Sequence, residues 1–539
     1  MRRLVLSAVL LAAGAAMLAS ARFAGASPAA PGGVFRVGFA GSSVGIDPQA
    51  AYISTAWWLE YATAAKLYNY PDTRGPAGSL LRPEVASSFA VSNDGRTYTF
   101  RIRKGFRFSD GSPVTARNFK YAIDRAANHD LYVPAEAFID DEIVGAKDVH
   151  DGNALHVRGV VAKGNRLVIH LTKRDGAFLS KITMPVFQAT STKLPLSREV
   201  TRPYPSAGPY RFTRNEVNSL ISIRRNPYWR RGPGQRPQNL AGVDVLYGLD
   251  EQTAFEQTKA GELDEVEGYY PAGIPEYKPP SNFRSEPENC TGFLALNMAN
   301  HLFKDNLPLR QAVNYAVSRG AYVAQAGPYA GRPWTHIFNP GVPGWRKVTL
   351  YKRNLAKAKR LAAGHLRDGK ITMYYRSNST ANQNQAQIVR QDLINLGFEP
   401  DNITMKGFSG GGPYDPYETR GNDADIAVSR GWCSDYPDPY DWINVLFDGN
   451  TIQAENNTNV SYMNLPKWNR RMEAAARLVG PKRFKAYGQL DLDLVRKVAP
   501  VAVERTYNNR FWFSSRVDQR SLVYQGIYQD WSIPALRLK

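Results

Sequence analysis

Cysteine and histidine are both scarce in this chain. Two cysteines and seven histidines occur in 539 residues. The closest histidines, His150 and His156, do not have metal-binding spacing, and no zinc-finger pattern is present. Neither the phosphate-binding GxxxxGK[ST] loop nor a GxGxxG loop after a strand occurs. The sequence therefore predicts no metal site and no cofactor.

Long apolar runs are missing after the N-terminus. At the N-terminus itself, Arg2 and Arg3 precede an apolar stretch from Leu4 to Ala19, and small residues follow at 24–26. We interpret residues 1–26 as a secretory signal peptide. An uncleaved anchor is the alternative, but this alanine-rich stretch makes a short, weak span. No cysteine lies directly after this stretch, so we expect an extracytoplasmic protein, periplasmic or in the cell-envelope space, that is not a lipoprotein.

An exported protein can keep its cysteines paired. Cys290 and Cys433 are separated by 143 residues, and two cysteines in an oxidising compartment suggest one disulfide. A loop of that length would stabilise the fold by roughly 4–5 kcal/mol if chain entropy governs.

Runs of one charge are also missing. The net charge is +20, or +17 without the three arginines of residues 1–26. No long Lys/Arg run and no recognition-helix pattern accompanies this charge, so we expect a solvated basic surface and no nucleic-acid partner. Aromatic residues make up 12% of the chain, which suits either an aromatic-lined cavity or an aromatic-rich core.

Strand and helix patterns alternate along the chain. Alternating apolar residues predict strands at 32–41 and 96–103, and Thr115 is a good N-cap for the helix that follows. Residues 371–408 read as a strand, a helix that stops at Gly397, and a second strand. A further strand at 424–430 leads into "GWCSDYPDP". The pattern predicts an α/β protein with more than one domain.

The segment "SRGWCSDYPDPYDW" (429–442) combines one cysteine with Asp435, Asp438 and Asp441. A metal loop, a catalytic carboxylate and the wall of a ligand pocket are three possible interpretations. The aspartates recur every three residues, without the glycine and closing glutamate of a calcium loop. Ser409 in "GFSGG" could suggest a hydrolase. However, no helix is expected directly after it, and no histidine follows it in the chain.

Several blocks together resemble a known family, the extracytoplasmic solute-binding proteins of ABC importers that include dipeptide- and oligopeptide-binding proteins (solute-binding protein family 5). They keep the family's order and cover most of residues 32–539. They are "LRPEVASSFAVSNDGRTYTFRIRKGFRFSDGSPVTARNFKYAIDR" (81–125), "PSAGPYRF" (205–212), "RRNPYWRRG" (224–232), "AGELDEVEG" (260–268), "FLALNMANHLFKDNLPLRQAVNYAVSRGAYV" (293–323) and "GWCSDYPDP" (431–439).

The resemblance implies a two-lobed α/β fold of the hinged periplasmic-binding-protein type (type II), with an extra subdomain inserted in the first lobe. Residues 32–75, 190–289 and 505–539 would form the discontinuous first lobe. Residues 76–189 would form the inserted subdomain, and residues 290–504 the second lobe.

The resemblance also implies a ligand site. Oligopeptide-binding members have cysteines at positions that match Cys290 and Cys433, which implies a structural disulfide. Asp435 matches the aspartate that binds the α-ammonium of a peptide, with Trp432 as pocket wall beside it. In the first lobe, the loop with Tyr52, Ser54 and Thr55 is where the family contacts its ligand.

The residue that binds the ligand carboxylate is less defined. Arg376, after the strand at 371–376, matches a position where peptide binders place an arginine. Arg430 lies near a position where some longer-peptide binders have a basic residue, but it is shifted from that position by one residue. Because successive side chains of a strand point to opposite faces, this shift predicts that Arg430 points to the opposite strand face from that basic residue. We prefer Arg376.

The resemblance predicts a non-enzymatic, monomeric receptor that binds peptides between two closing lobes and delivers them to an ABC permease. Within the family, an oligosaccharide or another non-peptide solute is the alternative ligand, because aromatic faces also pack against sugar rings. A secreted hydrolase is the remote alternative from another class.

Overall fold

The computed structural model describes residues 32–539 except 75, 231, 233–234, 272–273, 275–278 and 410–414. The predicted signal peptide, residues 1–26, lies outside the described residues.

The strands follow one another along most of the chain. In chain order they are β1 (Val34–Gly38), β2 (Tyr68–Asn69), β3 (Arg82–Pro83), β4 (Ala86–Val91), β5 (Thr97–Ile102), β6 (Val160–Lys163), β7 (Arg166–His170), β8 (Tyr210–Glu216), β9 (Leu220–Arg225), β10 (Gly242–Leu246), β11 (Glu265–Glu267), β12 (Phe283–Leu296), β13 (Gly331–Pro333), β14 (Ile371–Arg376), β15 (Ile403–Phe408), β16 (Ile426–Cys433), β17 (Val501–Phe513), β18 (Tyr524–Gln525) and β19 (Asp530–Trp531).

The α-helices lie between these strands. They are α1 (Ser54–Thr63), α2 (Ala116–Ala126), α3 (Ala146–His150), α4 (Phe178–Lys181), α5 (Glu251–Ala260), α6 (Leu307–Ala316), α7 (Arg319–Ala326), α8 (Leu355–Ala362), α9 (Thr380–Leu396), α10 (Tyr440–Phe447), α11 (Pro466–Ala476) and α12 (Gly480–Lys497). Among the described residues, no helix is both long and apolar enough to cross a membrane.

One large sheet connects the two halves of the molecule. Its strand order is β15-β14-β16-β12-β17-β11-β1-β10-β9-β8, and β13 pairs with β17. The long strands β12 and β17 are antiparallel neighbours, and their pairing register shifts between Pro287 and Thr291. On one side of this shift, β12 and β17 lie in the part of the sheet that contains β11 and β1. On the other side, they lie in the part that contains β16 and β14. Two strands therefore cross between the lobes.

The predicted lobe boundaries at 289/290 and 504/505 fall inside β12 and β17, so the assignment of residues to lobes remains a prediction. A separate four-stranded sheet, β4-β5-β7-β6, lies within residues 76–189, which is where the inserted subdomain is expected.

Each lobe has its own buried core. In the second lobe, successive residues of β12 alternate between two layers. Phe293 and Ala295 pack in a core with Trp442, whereas Leu294 and Leu296 pack in a core with the helix α6. Because both faces are covered, this half of β12 is apolar without interruption.

The elements predicted from local patterns are present. Thr115 precedes α2, where its N–H donates to Asn118 Oδ1 at 2.8 Å. The predicted strand-helix-strand unit is β14, α9 and β15. Ser379 caps the start of α9, and Gly397 follows its end with a φ of 125°, a conformation that favours glycine.

Candidate functional site

The three aspartates after β16 have three different sets of partners. Asp438 accepts the N–H of Tyr440 at 2.9 Å and forms a fork-like ion pair with the buried Arg483. Asp441 is buried and accepts the N–H of Asp435 at 2.8 Å. Asp435 instead faces the first lobe. The first two carboxylates therefore shape the turn, and the third is presented to a pocket.

The predicted disulfide is present. Cys290 in β12 and Cys433 in β16 are directly opposite each other in the antiparallel pair, and their sulfur atoms are bonded. This crosslink joins the crossing strand to the residue two positions before Asp435. It therefore fixes the start of the aspartate-rich loop relative to the middle of the sheet.

A pocket of about 310 Å³ lies between this loop and the segment before α1. Five residues predicted from the sequence line it: Tyr52, Ser54, Trp432, Cys433 and Asp435. Thr55 lies in the first turn of α1 and is not among the lining residues. The two ends of the pocket come from parts of the chain that are far apart in sequence, so both lobes contribute to it.

Asp435 and Tyr52 face each other in this pocket. Tyr52 Oη donates a hydrogen bond to Asp435 Oδ2 at 2.5 Å. Burial raises the pKa of Asp435 to about 7, although the hydrogen bond from Tyr52 acts in the opposite direction. A carboxylate removed from water in this way gains from a cationic partner.

Trp432 forms the wall beside Asp435. Its side chain is half-buried and packs against the core of the second lobe. The indole Nε1 is buried and has no hydrogen-bond partner among the described residues.

The two candidate arginines share one acidic partner. Arg430 Nη1 lies 2.6 Å from Asp415 Oδ2, and its other terminal nitrogen pairs with Glu418. Arg376 Nη2 lies 3.5 Å from the same Asp415 oxygen, and its side chain is 40% exposed. Neither arginine lines the 310 Å³ pocket.

The prediction that Arg430 points to the other strand face is wrong. Arg430 lines a small pocket of about 80 Å³ together with Gly431 and Trp432, which also line the Asp435 pocket. Regular alternation would have placed Arg430 with Ile426 and Val428, on the face that packs against α6.

A β-bulge explains the difference. Phe293 pairs with Arg430 and Ala295 pairs with Ala427, so one residue of β12 is opposite two residues of β16. The extra residue is Ser429, whose φ is 56° and whose hydroxyl donates to Gln385 in α9. Arg430 and Trp432 thereby lie on the same side of β16 and line the small pocket with Phe293.

A larger cavity of about 560 Å³ adjoins the Asp435 pocket, and both are lined by Ile527. Its lining includes Glu288 and Asn289 from β12 and Tyr524 from β18. These residues were not predicted from the sequence. No local motif marks them, because they come together only through the pairing of β12 with β17 and the return of the C-terminal segment.

One histidine has acidic neighbours that its sequence spacing does not reveal. His150, at the end of α3, lies with Glu136 and Asp140, and one ligand atom from each of the three lies within 4.8 Å of the others. His150 Nδ1 is 3.1 Å from Asp140 Oδ2. This cluster belongs to residues 76–189 and does not line the cleft pockets.

Comparisons with known proteins place the chain among binding proteins. Residues 81–454 match the model of bacterial extracellular solute-binding proteins, family 5. Di/tripeptide-binding protein 1 of Pseudomonas aeruginosa is 24% identical over 449 residues, which cover 77% of this chain and 79% of that protein. The periplasmic oligopeptide-binding protein OppA of Escherichia coli is 24% identical over 402 residues, covering 69% and 70%.

Solved structures show the same fold over almost the whole chain. Clavulanic acid biosynthesis oligopeptide binding protein 2 superposes with a TM-score of 0.81 at 22% identity, covering 94% of this chain and 95% of that one. The murein tripeptide binding protein MppA of Escherichia coli gives a TM-score of 0.75 at 20% identity, covering 95% and 100%. The predicted two-lobed α/β fold is thereby confirmed. The match over most of its length shows that the chain belongs to the bacterial extracellular solute-binding proteins, family 5.

Proposed function

We propose that this protein is the peptide receptor of an ABC importer. It binds a peptide between its lobes and delivers it to a membrane permease, without chemical change to the ligand. The named relatives bind dipeptides, tripeptides or oligopeptides. The observation that carries the proposal is the half-buried Asp435 carboxylate, which faces a pocket formed by both lobes.

Asp435 holds the free α-ammonium of the peptide. The carboxylate is partly removed from water, so an ammonium that enters the pocket compensates its charge. Tyr52 Oη supports the same carboxylate from the first lobe. Trp432 provides an apolar wall beside that carboxylate.

The receptor acts outside the cytoplasm as a monomer, after export by the signal peptide at residues 1–26. The first lobe comprises residues 32–75, 190–289 and 505–539, and it closes on the second lobe at the crossing strands. Closure around the ligand gives the permease a shape that it can distinguish from the empty receptor.

A thermal melt tests the proposal. The protein is heated with a pool of peptides of two to five residues and with the same pool after N-acetylation. A ligand at 100 times its Kd should stabilise the protein by about 2.7 kcal/mol. We expect a shift with the free-amine pool that disappears on acetylation.

Asp435→Asn removes the proposed partner of the ammonium, so its melting temperature should not rise with the free-amine pool. Asp401→Asn, which changes an exposed carboxylate outside the cleft, should keep it. If neither pool stabilises the wild type, the peptide assignment is wrong. The thermal melt would then be repeated with a pool of oligosaccharides in place of the peptides.

A further inference from the structure

Glu288 lies at the border between the two larger pockets of the cleft. It is in β12, two residues before Cys290, and it lines the 560 Å³ cavity. One of its carboxylate oxygens lies within 4.8 Å of the sulfur atoms of both Cys290 and Cys433. Cys433 itself lines the Asp435 pocket. The disulfide therefore has Asp435 on one side and a second carboxylate, Glu288, on the other.

The Glu288 carboxylate has no close partner of its own. Among the described residues, no hydrogen bond or ion pair ends on it. Arg505 and Arg510 are the positive groups that act on it. Their guanidinium groups donate to backbone carbonyls elsewhere, Arg505 to Tyr322 and Arg510 to Ala326. Burial prevails over their attraction and raises the pKa of Glu288 to about 7.

The other charges nearby do not compensate Glu288. Arg332 is the other charged residue that lines the cavity, but it is exposed and its guanidinium lies 4.9 Å from the ring centre of Trp334. The described linings of the two larger pockets thus contain two carboxylates, Asp435 and Glu288, and one guanidinium, that of Arg332, in a chain whose net charge is +20.

We infer that Glu288 binds a second cationic group of the ligand, so that the receptor prefers peptides that carry a lysine or arginine side chain close to a free amino end. This inference rests on the proposed peptide-binding function. The α-ammonium binds Asp435, and the basic side chain passes the disulfide into the 560 Å³ cavity, whose volume lies within the usual range of ligand sites.

The overall charge of the protein does not itself favour a basic peptide. A strongly positive surface repels a cationic ligand at long range, although salt screens that repulsion beyond about 10 Å. Selection of a basic peptide must then come from carboxylates inside the cleft, where water is partly excluded and charge-assisted hydrogen bonds are strong.

The test uses one peptide scaffold with a free amino end and three versions of one side chain. Lysine, norleucine and glutamate are placed in turn at the first, second and third positions, and Kd is measured by calorimetry. We expect the lysine version to bind roughly tenfold to a hundredfold more tightly than the norleucine version at one of these positions. The glutamate version should bind worst.

Glu288→Gln should remove the preference, so that lysine and norleucine versions bind equally while the norleucine affinity is kept. Glu286→Gln, two residues earlier on the same strand and outside the cavity lining, should retain it. A lysine preference that survives in Glu288→Gln overturns the inference. Equal binding of all three versions to the wild type also overturns it and leaves the peptide function intact. If no version binds, the peptide function and the inference fall together.

Discussion

Tyr52 and Asp435, 383 positions apart in the chain, are joined by a 2.5 Å hydrogen bond across the ligand cleft. Tyr52 lies just before α1 and Asp435 just after β16, so the bond links one lobe directly to the other. A peptide ammonium would enter at the same carboxylate. The contact that joins the two lobes and the contact proposed for the ligand therefore share one side chain.

Peptide binding should depend on pH because of Asp435. Burial raises its pKa to about 7, and a bound ammonium favours the ionised form. Affinity for a free-amine peptide is therefore highest between about pH 7 and 8, and it is lost as the pH falls through 7, by roughly tenfold for each unit. It also falls above about pH 8, because the α-ammonium of the peptide then loses its proton. Calorimetric titrations between pH 5 and 9 measure this. A norleucine-type peptide should be used, so that Glu288 does not contribute. An affinity that is constant over this range would contradict the role of Asp435.

Tyr52→Phe should shift this pH profile to higher pH. The variant keeps the edge-on contact with Trp57, whose ring centre is 5.3 Å away, but removes the hydrogen bond that lowers the pKa of Asp435. At pH 7 the carboxyl is then protonated more often, and we expect roughly threefold to tenfold weaker peptide binding. The affinity should approach that of the wild type near pH 9. Tyr228→Phe, at a tyrosine remote from the cleft pockets, is the control and should change nothing.

Ser429 should tolerate glycine and reject valine. Its φ of 56° lies in the left-handed region, which costs a β-branched residue more than any other. We expect Ser429→Val to lower the free energy of unfolding by roughly 1–3 kcal/mol. Ser429→Gly gains backbone freedom but loses the bond to Gln385, so it should stay close to the wild type. Urea unfolding measures the free energy of unfolding of both variants. An equal decrease in the two variants would show that the bulge is not constrained at this residue.

The two arginines on Asp415 should differ in their effect on stability. Arg430 is 13% exposed and pairs with two carboxylates, so Arg430→Gln leaves charges without a partner and should cost about 2 kcal/mol or more. Arg376 is 40% exposed, and Arg376→Gln should cost less than about 1 kcal/mol. The free energies of unfolding in urea give the comparison. A larger loss in Arg376→Gln would reverse this assignment.

Arg376 can therefore be changed to test the carboxylate end of the ligand. If it binds the ligand carboxylate, the wild type should favour a peptide with a free carboxyl end over the same peptide amidated. Arg376→Gln should bind both forms equally, with a loss of roughly tenfold for the free form. A preference for the free form that persists in Arg376→Gln assigns the carboxylate to another residue.

The elements that sequence reasoning predicted are those with a local physical cause. The strand-helix-strand unit ending in β15 has regular apolar periodicity, and α2 begins at a capping threonine. Asp435 and Trp432 were predicted because their motif resembles a family pattern. Their positions in the pocket follow from the order of the strands.

The features that sequence reasoning missed depend on long-range pairing. The bulge at Ser429 exists only because β16 is paired with β12, and a serine in a strand does not signal a left-handed residue. Glu288 looks like an ordinary polar residue beside a proline. Its burial arises when residues 524–527 fold back over the crossing strands, which no short pattern announces.

The position of β17 in the sheet also determines when the protein can fold. This strand comes last in the chain among the strands of the large sheet, yet it lies at the centre, between β12 and β11. Until residues 501–513 are available, β15, β14, β16 and β12 have no connection through the sheet to β11, β1 and their neighbours. A chain still being synthesised therefore cannot assemble its central pairing, and folding must wait for the C-terminal segment. Such a delay would suit the export that is proposed for this protein.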